Sequence, residues 1–343
     1  MRPDAVPQTV WAHGFPRWKW KYVKRCLAGH DVRFLPRHAS APPDGALLLW
    51  GMSHPPADIT TQRPVLRMED GFLRSVGLGA DLTRPISWVI DENGLYYDAT
   101  RPSDLETLLA TADFSPSIQQ RAAALRQRIL TLGLTKYTLP GKNWQRPATK
   151  RPVSLVVGQV ESDASLAFGA PGIRTNLDLL RAVRAAKPDA YLIYKPHPDV
   201  VARLRAGGEN EAEAKYWCDE IVADSPMETL LEQVDDVQVI TSLTGFEALL
   251  RGRPVTCHGM PFYAGWGLTE DKFTCPRRGR ILSLDELVAA ALLLYPCYFD
   301  QQGPLAPEAA ISRLGSWKER EAGHPRPFRG VYRFFLRRIA GVR

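Results

Sequence analysis

The sequence predicts an α/β protein built as two domains, and three observations carry that prediction. At 343 residues the chain exceeds the ~150 that one ordinary core organises. In its second half, short apolar runs of buried-strand type alternate with amphipathic helical stretches, the pattern of a parallel sheet covered on both faces. Between the halves, residues 136–152 are rich in Lys, Arg, Pro and Gly, as a linker is. The domains are read as 1–150, with that linker at its end, then 151–300, with a basic aromatic tail over 301–343.

The elements follow in order. Thr9 to Ala12 reads as a strand, followed by a turn at Gly14-Phe15-Pro16 and a helix to about Leu27. Val32 to Leu35, Ala46 to Trp50, Val65 to Met68 and Ser87 to Ile90 are further strands. Ser103-Asp-Leu-Glu106 has the form of a capping box opening a helix, and Ser117 to Leu132 is a longer amphipathic helix. Beyond the linker, Ser154 to Gly158, Ala190 to Tyr194, Val237 to Thr241 and Pro254 to His258 read as strands. Asn176 to Lys187, Pro226 to Val234, Phe246 to Arg251 and Leu284 to Leu294 read as the helices between and after them.

Composition narrows the class. Hydrophobic residues make up 45% and charged residues 24%, the balance of a globular protein. No apolar run approaches the ~20 residues that span a bilayer. Met1 to Gln8 shows no basic segment followed by an apolar one, so no signal peptide is expected and the cytoplasm is the default compartment. The five cysteines form no C-x-x-C pair, which points to neither a disulfide framework nor a zinc site. The net charge is +7. Part of it lies in Arg17, Lys19, Lys21, Lys24 and Arg25 among Trp18, Trp20 and Tyr22, and part in Arg326 to Arg343 among further aromatics. Arginine and lysine beside aromatics suit a peripheral contact with the inner-membrane surface; solvated surface and a disordered tail are the alternative. No recognised RNA-binding motif accompanies the charge, so nucleic acid is not the expected partner.

In sheets of this kind ligands sit at the carboxyl ends of the strands, so the residues just after each strand are the informative ones. Gln159-Val-Glu161-Ser-Asp163 follows one strand, and its carboxylates suit a nucleophile, a base or a metal ligand, or else a capped turn. Lys195-Pro-His197-Pro follows the next, a cationic pair stiffened by prolines and suited to a phosphate or carboxylate. Ser242, Thr244, Gly245 and Glu247 open a helix, an anion-binding arrangement in which Glu247 either accepts ribose hydroxyls or compensates the helix dipole. Tyr263, Gly265 and Trp266 belong to a loop that either presents aromatic faces to a base or sugar or plugs the core. In the first half, Glu69 and Asp70 end a strand near Arg67 and Arg74, which suit them as counter-ions. Acids paired across a cleft are the equipment of glycosyl transfer and hydrolysis.

Taken together, several long motifs resemble the bacterial capsule-biosynthesis β-Kdo transferases. They are Glu69-Asp-Gly-Phe-Leu-Arg-Ser75, Tyr96-Tyr-Asp-Ala99, Gly158-Gln-Val-Glu161 with Asp163-Ala-Ser165, Tyr194-Lys-Pro-His-Pro-Asp199, Thr241-Ser-Leu-Thr-Gly-Phe-Glu247 and Pro261-Phe-Tyr-Ala-Gly-Trp-Gly267. The chain is similar to a single module, whereas the best-known capsule enzymes carry two in tandem. The resemblance implies two Rossmann-like domains facing a cleft (GT-B-like). It implies CMP-β-Kdo as donor, a glycolipid or polysaccharide acceptor and retention of configuration, with other capsule-assembly proteins as a further class of partner. It gives Asp163 the role of nucleophile and Glu69 that of acid/base assisted by Asp70, roles open to permutation among the three. Gln159, Glu161, Lys195, His197, Ser242, Thr244, Gly245 and Glu247 would hold the donor, with Arg67, Arg74 and Asn176 supporting. No metal or cofactor is expected, since one phosphate is within reach of cationic side chains. The rival readings are a transferase with an NDP-sugar donor, a non-catalytic assembly or export partner, and a hydrolase.

Overall fold

The computed structural model describes residues 5–36, 42, 44–56, 63–77, 83–138, 141–202, 205–208 and 210–323. The chain divides into two compact units, residues 1–95 with 290–343 and residues 96–289. This differs from a division at 150, and hydrogen bonding gives the reason at both ends.

The first unit is built on β1 (Thr9–His13), α1 (Trp20–Cys26), β2 (Asp31–Phe34), β3 (Ala46–Trp50), β4 (Val65–Asp70) and β5 (Ser87–Asp91). β1 to β4 pair in parallel in the order β4-β3-β1-β2, and β5 runs antiparallel to β4. The pattern at the core is Val10, Ala12, Leu48, Leu66, Met68, Trp88 and Ile90, alternate strand residues turned to one face, with Val23 and Cys26 of α1 packed on them. The chain returns to this sheet late. A strand at Pro296–Phe299 pairs with β5, Pro296 opposite Val89 and Tyr298 opposite Ser87. Tyr295 Oη donates to the buried Asp91 at 2.8 Å. A helix over Pro307–Gly323 follows, with Arg84 stacked 3.9 Å from the Trp317 ring centroid. Residues 290–323 thus belong to the first unit, not to the second domain or a tail. The basic segment Arg326 to Arg343, read as a membrane contact, lies outside the described residues.

The second unit opens with α2 (Asp104–Thr111) and α3 (Pro116–Thr131). Ser103 Oγ accepts the Glu106 N–H at 3.1 Å, one half of the expected capping box. The other half is replaced: Glu106 accepts from Arg277 at 2.6 Å and from buried Arg278 at 2.9 Å. Those ion pairs, with Arg126 on Asp285 at 3.3 Å, hold α2 and α3 to the second unit. Its sheet is wholly parallel around β6 (Val153–Val157), β7 (Tyr191–Lys195), β8 (Glu220–Ile221), β9 (Asp236–Val239), β10 (Val255–Cys257) and β11 (Glu270–Asp271), in the order β11-β10-β9-β6-β7-β8. α4 (Ala164–Gly169), α5 (Asn176–Ala186), α6 (Pro198–Val201), α7 (Met227–Gln233) and α8 (Thr244–Leu250) connect the strands. Every residue of β6 is buried, which is why the strand reads as an uninterrupted apolar run.

The segment read as a linker lies within the second unit. Lys136 N–H donates to Glu247 at 2.6 Å, Trp144 donates to Ser225 and Glu220, and Arg146 makes a two-point contact with Asp235 at 2.7 and 3.0 Å. Its Pro and Gly content marks an irregular strap with its own partners rather than a hinge.

Candidate functional site

In the first unit the site begins at the carboxyl end of β4. Gly71 lets the chain turn hard against β5, where a Cβ would stand 2.9 Å from that of Ser87. Both Asp70 oxygens receive donors: Trp88 Nε1 at 3.0 Å and Arg74 Nε at 2.8 Å. Two donors suit a carboxylate anion. Arg74 is 1% exposed and also donates to Ser75 Oγ and the Thr83 carbonyl. Glu69 accepts the Asp70 N–H at 2.8 Å. Of the two arginines expected beside these acids, Arg74 binds Asp70, while Arg67 donates to the carbonyls of Gly51 and Ser53 after β3.

A further group near the acids went unrecognised in the sequence. Lys19 is buried, and its ammonium lies over the Trp50 ring at 2.9 Å. Tyr22 is buried too, and Trp18 and Trp20 pack on the same core. The aromatics of the proposed N-terminal membrane contact therefore pack on the core, Tyr22 buried and Trp18 and Trp20 partly buried, while Arg17, Lys21 and Lys24 are exposed. The signal was present as a Trp-Lys-Trp run, which composition alone could not separate from an interfacial segment.

In the second unit the site runs along the carboxyl ends of β6, β7 and β9. Gln159 exchanges two hydrogen bonds with Thr241, donating to Oγ1 at 3.0 Å and accepting the Thr241 N–H at 2.8 Å. Asn176 clamps the Gln159 backbone on both sides, accepting its N–H at 2.8 Å and donating to its carbonyl at 2.9 Å. Glu161 accepts the Asn176 N–H at 2.7 Å and so satisfies a donor at the start of α5. Asp163 is exposed and caps α4 by accepting the Ser165 N–H at 3.3 Å.

His197 caps α6, its Nδ1 accepting the Asp199 N–H at 3.1 Å, which places the ring proton on Nε2. Its pKa is lowered to about 4, chiefly by burial and then by Lys136 and Arg205, with Asp163 opposing them. Those four groups share one electrostatic environment, and Lys136 and Arg205 are the two that sequence reasoning passed over. Lys195 is also buried, donates to the Ala223 carbonyl at 2.6 Å and is lowered to about 8, chiefly by burial. The expectation of a cationic Lys195–His197 pair is corrected: burial leaves His197 neutral near pH 7, and the local positive charge beside it comes from Lys136 and Arg205.

Ser242 Oγ accepts the Thr244 N–H at 3.2 Å, and its carbonyl accepts from Tyr263 Oη. Gly245 admits Tyr263, since a Cβ there would stand 2.7 Å from the ring carbon bearing the hydroxyl. Glu247 is 5% exposed with its carboxylate on the Lys136 N–H, and burial raises its pKa; it serves neither as an open ribose acceptor nor as a solvated first-turn charge. Tyr263 and Trp266 are 0% exposed. Trp266 Nε1 donates to the Phe262 carbonyl at 2.8 Å, and Tyr263 packs on Phe246 and Phe262. Gly265, at φ +86°, donates its N–H to Asp271 at 2.8 Å. The loop is the core plug, not a platform for a base or sugar, because its ring faces are already covered by protein. Among the described residues no group of three or more His, Cys, Asp or Glu side chains is arranged to hold a metal ion, and no helix is long and apolar enough to cross a membrane.

Two Rossmann-like α/β units in one chain, each gathering polar side chains at the carboxyl edge of its sheet, define a GT-B-like glycosyltransferase fold. The chain belongs to the family described as capsule polysaccharide biosynthesis protein, whose pattern matches residues 46–137 and 141–298. It is 48% identical over 235 residues to the capsule polysaccharide modification protein LipA of Neisseria meningitidis serogroup A, a match covering 68% of this chain and 33% of LipA. It therefore spans about a third of that relative's length. Among solved structures it resembles the Thermosulfurimonas dismutans KpsC β-Kdo 2,7 transferase, with a TM-score of 0.76 and 39% identity over 90% of this chain and 99% of that one. The KpsC β-Kdo 2,4 transferase of the same organism aligns with a TM-score of 0.77 and 32% identity, over 89% and 97%.

Proposed function

We propose that this protein is a retaining β-Kdo transferase that moves Kdo from CMP-β-Kdo to a glycolipid or polysaccharide acceptor of the bacterial surface. The observation that carries the reading is the alignment of nearly the whole chain, at 39% identity, with the KpsC β-Kdo 2,7 transferase. The site residues are consistent in chemistry. Lys136 and Arg205 supply positive charge beside His197 and Asp163, as a donor with one phosphate requires. On this reading no metal or cofactor takes part.

Retention follows from two displacements. Asp163 carboxylate attacks the anomeric carbon of Kdo, the bond to the phosphate breaks, and CMP leaves with the electron pair. The acceptor hydroxyl then attacks the same carbon, Glu69 takes its proton, and the Asp163 carboxylate departs. Asp70, fixed by Arg74 and Trp88, orients Glu69 through the shared peptide unit.

The test is intact-protein mass spectrometry with CMP-Kdo generated in place, comparing wild type with Asp163→Ala. A gain of one Kdo in the wild type alone supports donor, retention and nucleophile together. A gain that persists in the variant moves the nucleophile to Glu69 or Asp70. Absence of both adduct and CMP release refutes the donor and brings forward an NDP-sugar transferase or a non-catalytic assembly role.

A further inference from the structure

The parallel strands of the first unit change their direction of progression between β1 and β3, with β2 outside β1 on one side and β4 beyond β3 on the other. Such a switch point opens a crevice at the carboxyl ends of the strands. Lys19 enters this edge from the 3-10 turn Arg17–Lys19 that follows β1. Its ammonium lies 2.9 Å from the Trp50 ring centroid, 5.4 Å from that of Trp18 and 5.9 Å from that of Trp88, and the residue is 6% exposed. Among the described residues no hydrogen bond or ion pair ends on that ammonium.

Burying a cation without a direct partner is costly, and an aromatic face returns only part of the cost. Packing alone would be served by methionine or leucine. The charged groups that act on Lys19 are Asp70, then Glu69, both favouring the ammonium, with Arg74 opposing. Trp88 links the two sides of the arrangement, since its ring faces Lys19 while its Nε1 donates to Asp70. Arg67, on the same strand as the acids, is turned to the carbonyls of Gly51 and Ser53.

We propose that Lys19 is a positioning residue for the Glu69–Asp70 pair: held on Trp50, it keeps both carboxylates ionised through space without itself occupying a carboxylate oxygen. This rests on the reading of Glu69 as the proton acceptor for the incoming hydroxyl. A lysine in direct contact would compete with that hydroxyl for the oxygen; one held on an indole supplies charge and leaves the oxygen its chemistry. Burial brings the Lys19 ammonium down to about 8, so it is still predominantly charged near pH 7.

Two variants and two readouts test this. Lys19→Met keeps length and removes charge; Lys19→Arg keeps charge. The first readout is carbon-detected NMR titration of the side-chain carboxyls, assigned with Glu69→Gln and Asp70→Asn. In Lys19→Met the midpoints of the pair rise by about one pH unit, and in Lys19→Arg they stay near wild type. The second is the pH profile of kcat/KM for CMP release with acceptor present. Its acid limb rises by the same amount, a loss of about tenfold below the limb with recovery above it. Unmoved midpoints, or a rate lowered equally at every pH, would reduce Lys19 to packing. If Lys19→Met does not fold, the reciprocal measurement decides: Asp70→Asn must lower the midpoint of the Lys19 ammonium read from labelled lysine, and an unchanged midpoint overturns the proposal. Midpoints that move in Lys19→Met, with a wild-type protein that releases no CMP, would uphold the coupling and refute Kdo transfer instead.

Discussion

The two sheets meet the same topological problem with different chemistry. Each has a point where strand order reverses, β1 against β3 in one unit and β6 against β9 in the other. In the second unit neutral side chains close that point, with Gln159 and Thr241 exchanging hydrogen bonds and Asn176 clamping the backbone. In the first it holds charge, with Lys19 on Trp50 and the acids of β4 nearby. A neutral network fixes geometry and contributes little field; a charged one sets the field and depends on every partner being present. The difference teaches that one topology can be closed either by a neutral hydrogen-bond network or by charge. In the second unit the charges of Asp163, Lys136 and Arg205 act instead on the neutral ring of His197.

The sharpest way to break the charged side is Arg74→Met. It leaves Asp70 with an oxygen stripped of its strongest donor, and the expected loss is about 3–5 kcal/mol in urea unfolding. A loss below about 1 kcal/mol would mean that the buried pair is not the tie that the geometry shows.

Lys195→Met inverts the sign. The folded-state pKa of Lys195 falls from 10.5 to about 8, so below pH 8 the unfolded chain holds its proton more readily than the folded one. The wild type therefore carries the full cost below pH 8, and that cost fades as pH rises from 8 to 10.5. The variant should be more stable at pH 7 by up to roughly 3 kcal/mol, less about 1 for the lost bond to Ala223, with the gap closing by pH 10. Thermal unfolding across that range would show a gap constant with pH if the lysine were already neutral at pH 7.

On the neutral side, Gln159→Leu should cost about 2 kcal/mol, since the Thr241 N–H and hydroxyl lose their partner where water has little access. The smallest stability effect separates function from folding. Asp163→Asn should change unfolding by no more than about 0.5 kcal/mol, because asparagine caps a helix as well as aspartate. It should nevertheless abolish the Kdo adduct. A variant that stays active would leave Asp163 with its capping role alone.

Much of the fold was legible because local pattern and burial agree. β6 reads as a strand because all five residues are buried, and α5 as a helix because Leu177, Leu180 and Val183 share its inner face. The short strands β8 and β11 were not legible, since two residues carry no period and the pairing with β7 and β10 alone defines them. The site was legible as a set of segments but not as partners. That Glu247 would meet the Lys136 N–H, or that Glu106 would leave its capping box for Arg277 and Arg278, depends on contacts more than 100 residues apart.

The sequence by itself determined the α/β class, the order of the main strands and the family, because periodicity, turn residues and long motifs are local properties. Only the tertiary structure decided where the units divide, that residues 290–323 return to the first unit, and that the aromatic loop is core. It alone decided the state of the ionisable groups as well. Burial lowers the ammonium of Lys19 against the pull of Asp70 and Glu69, leaves the ring of His197 neutral and makes a structural acceptor of Glu247, and neither burial nor neighbours are written in residue type.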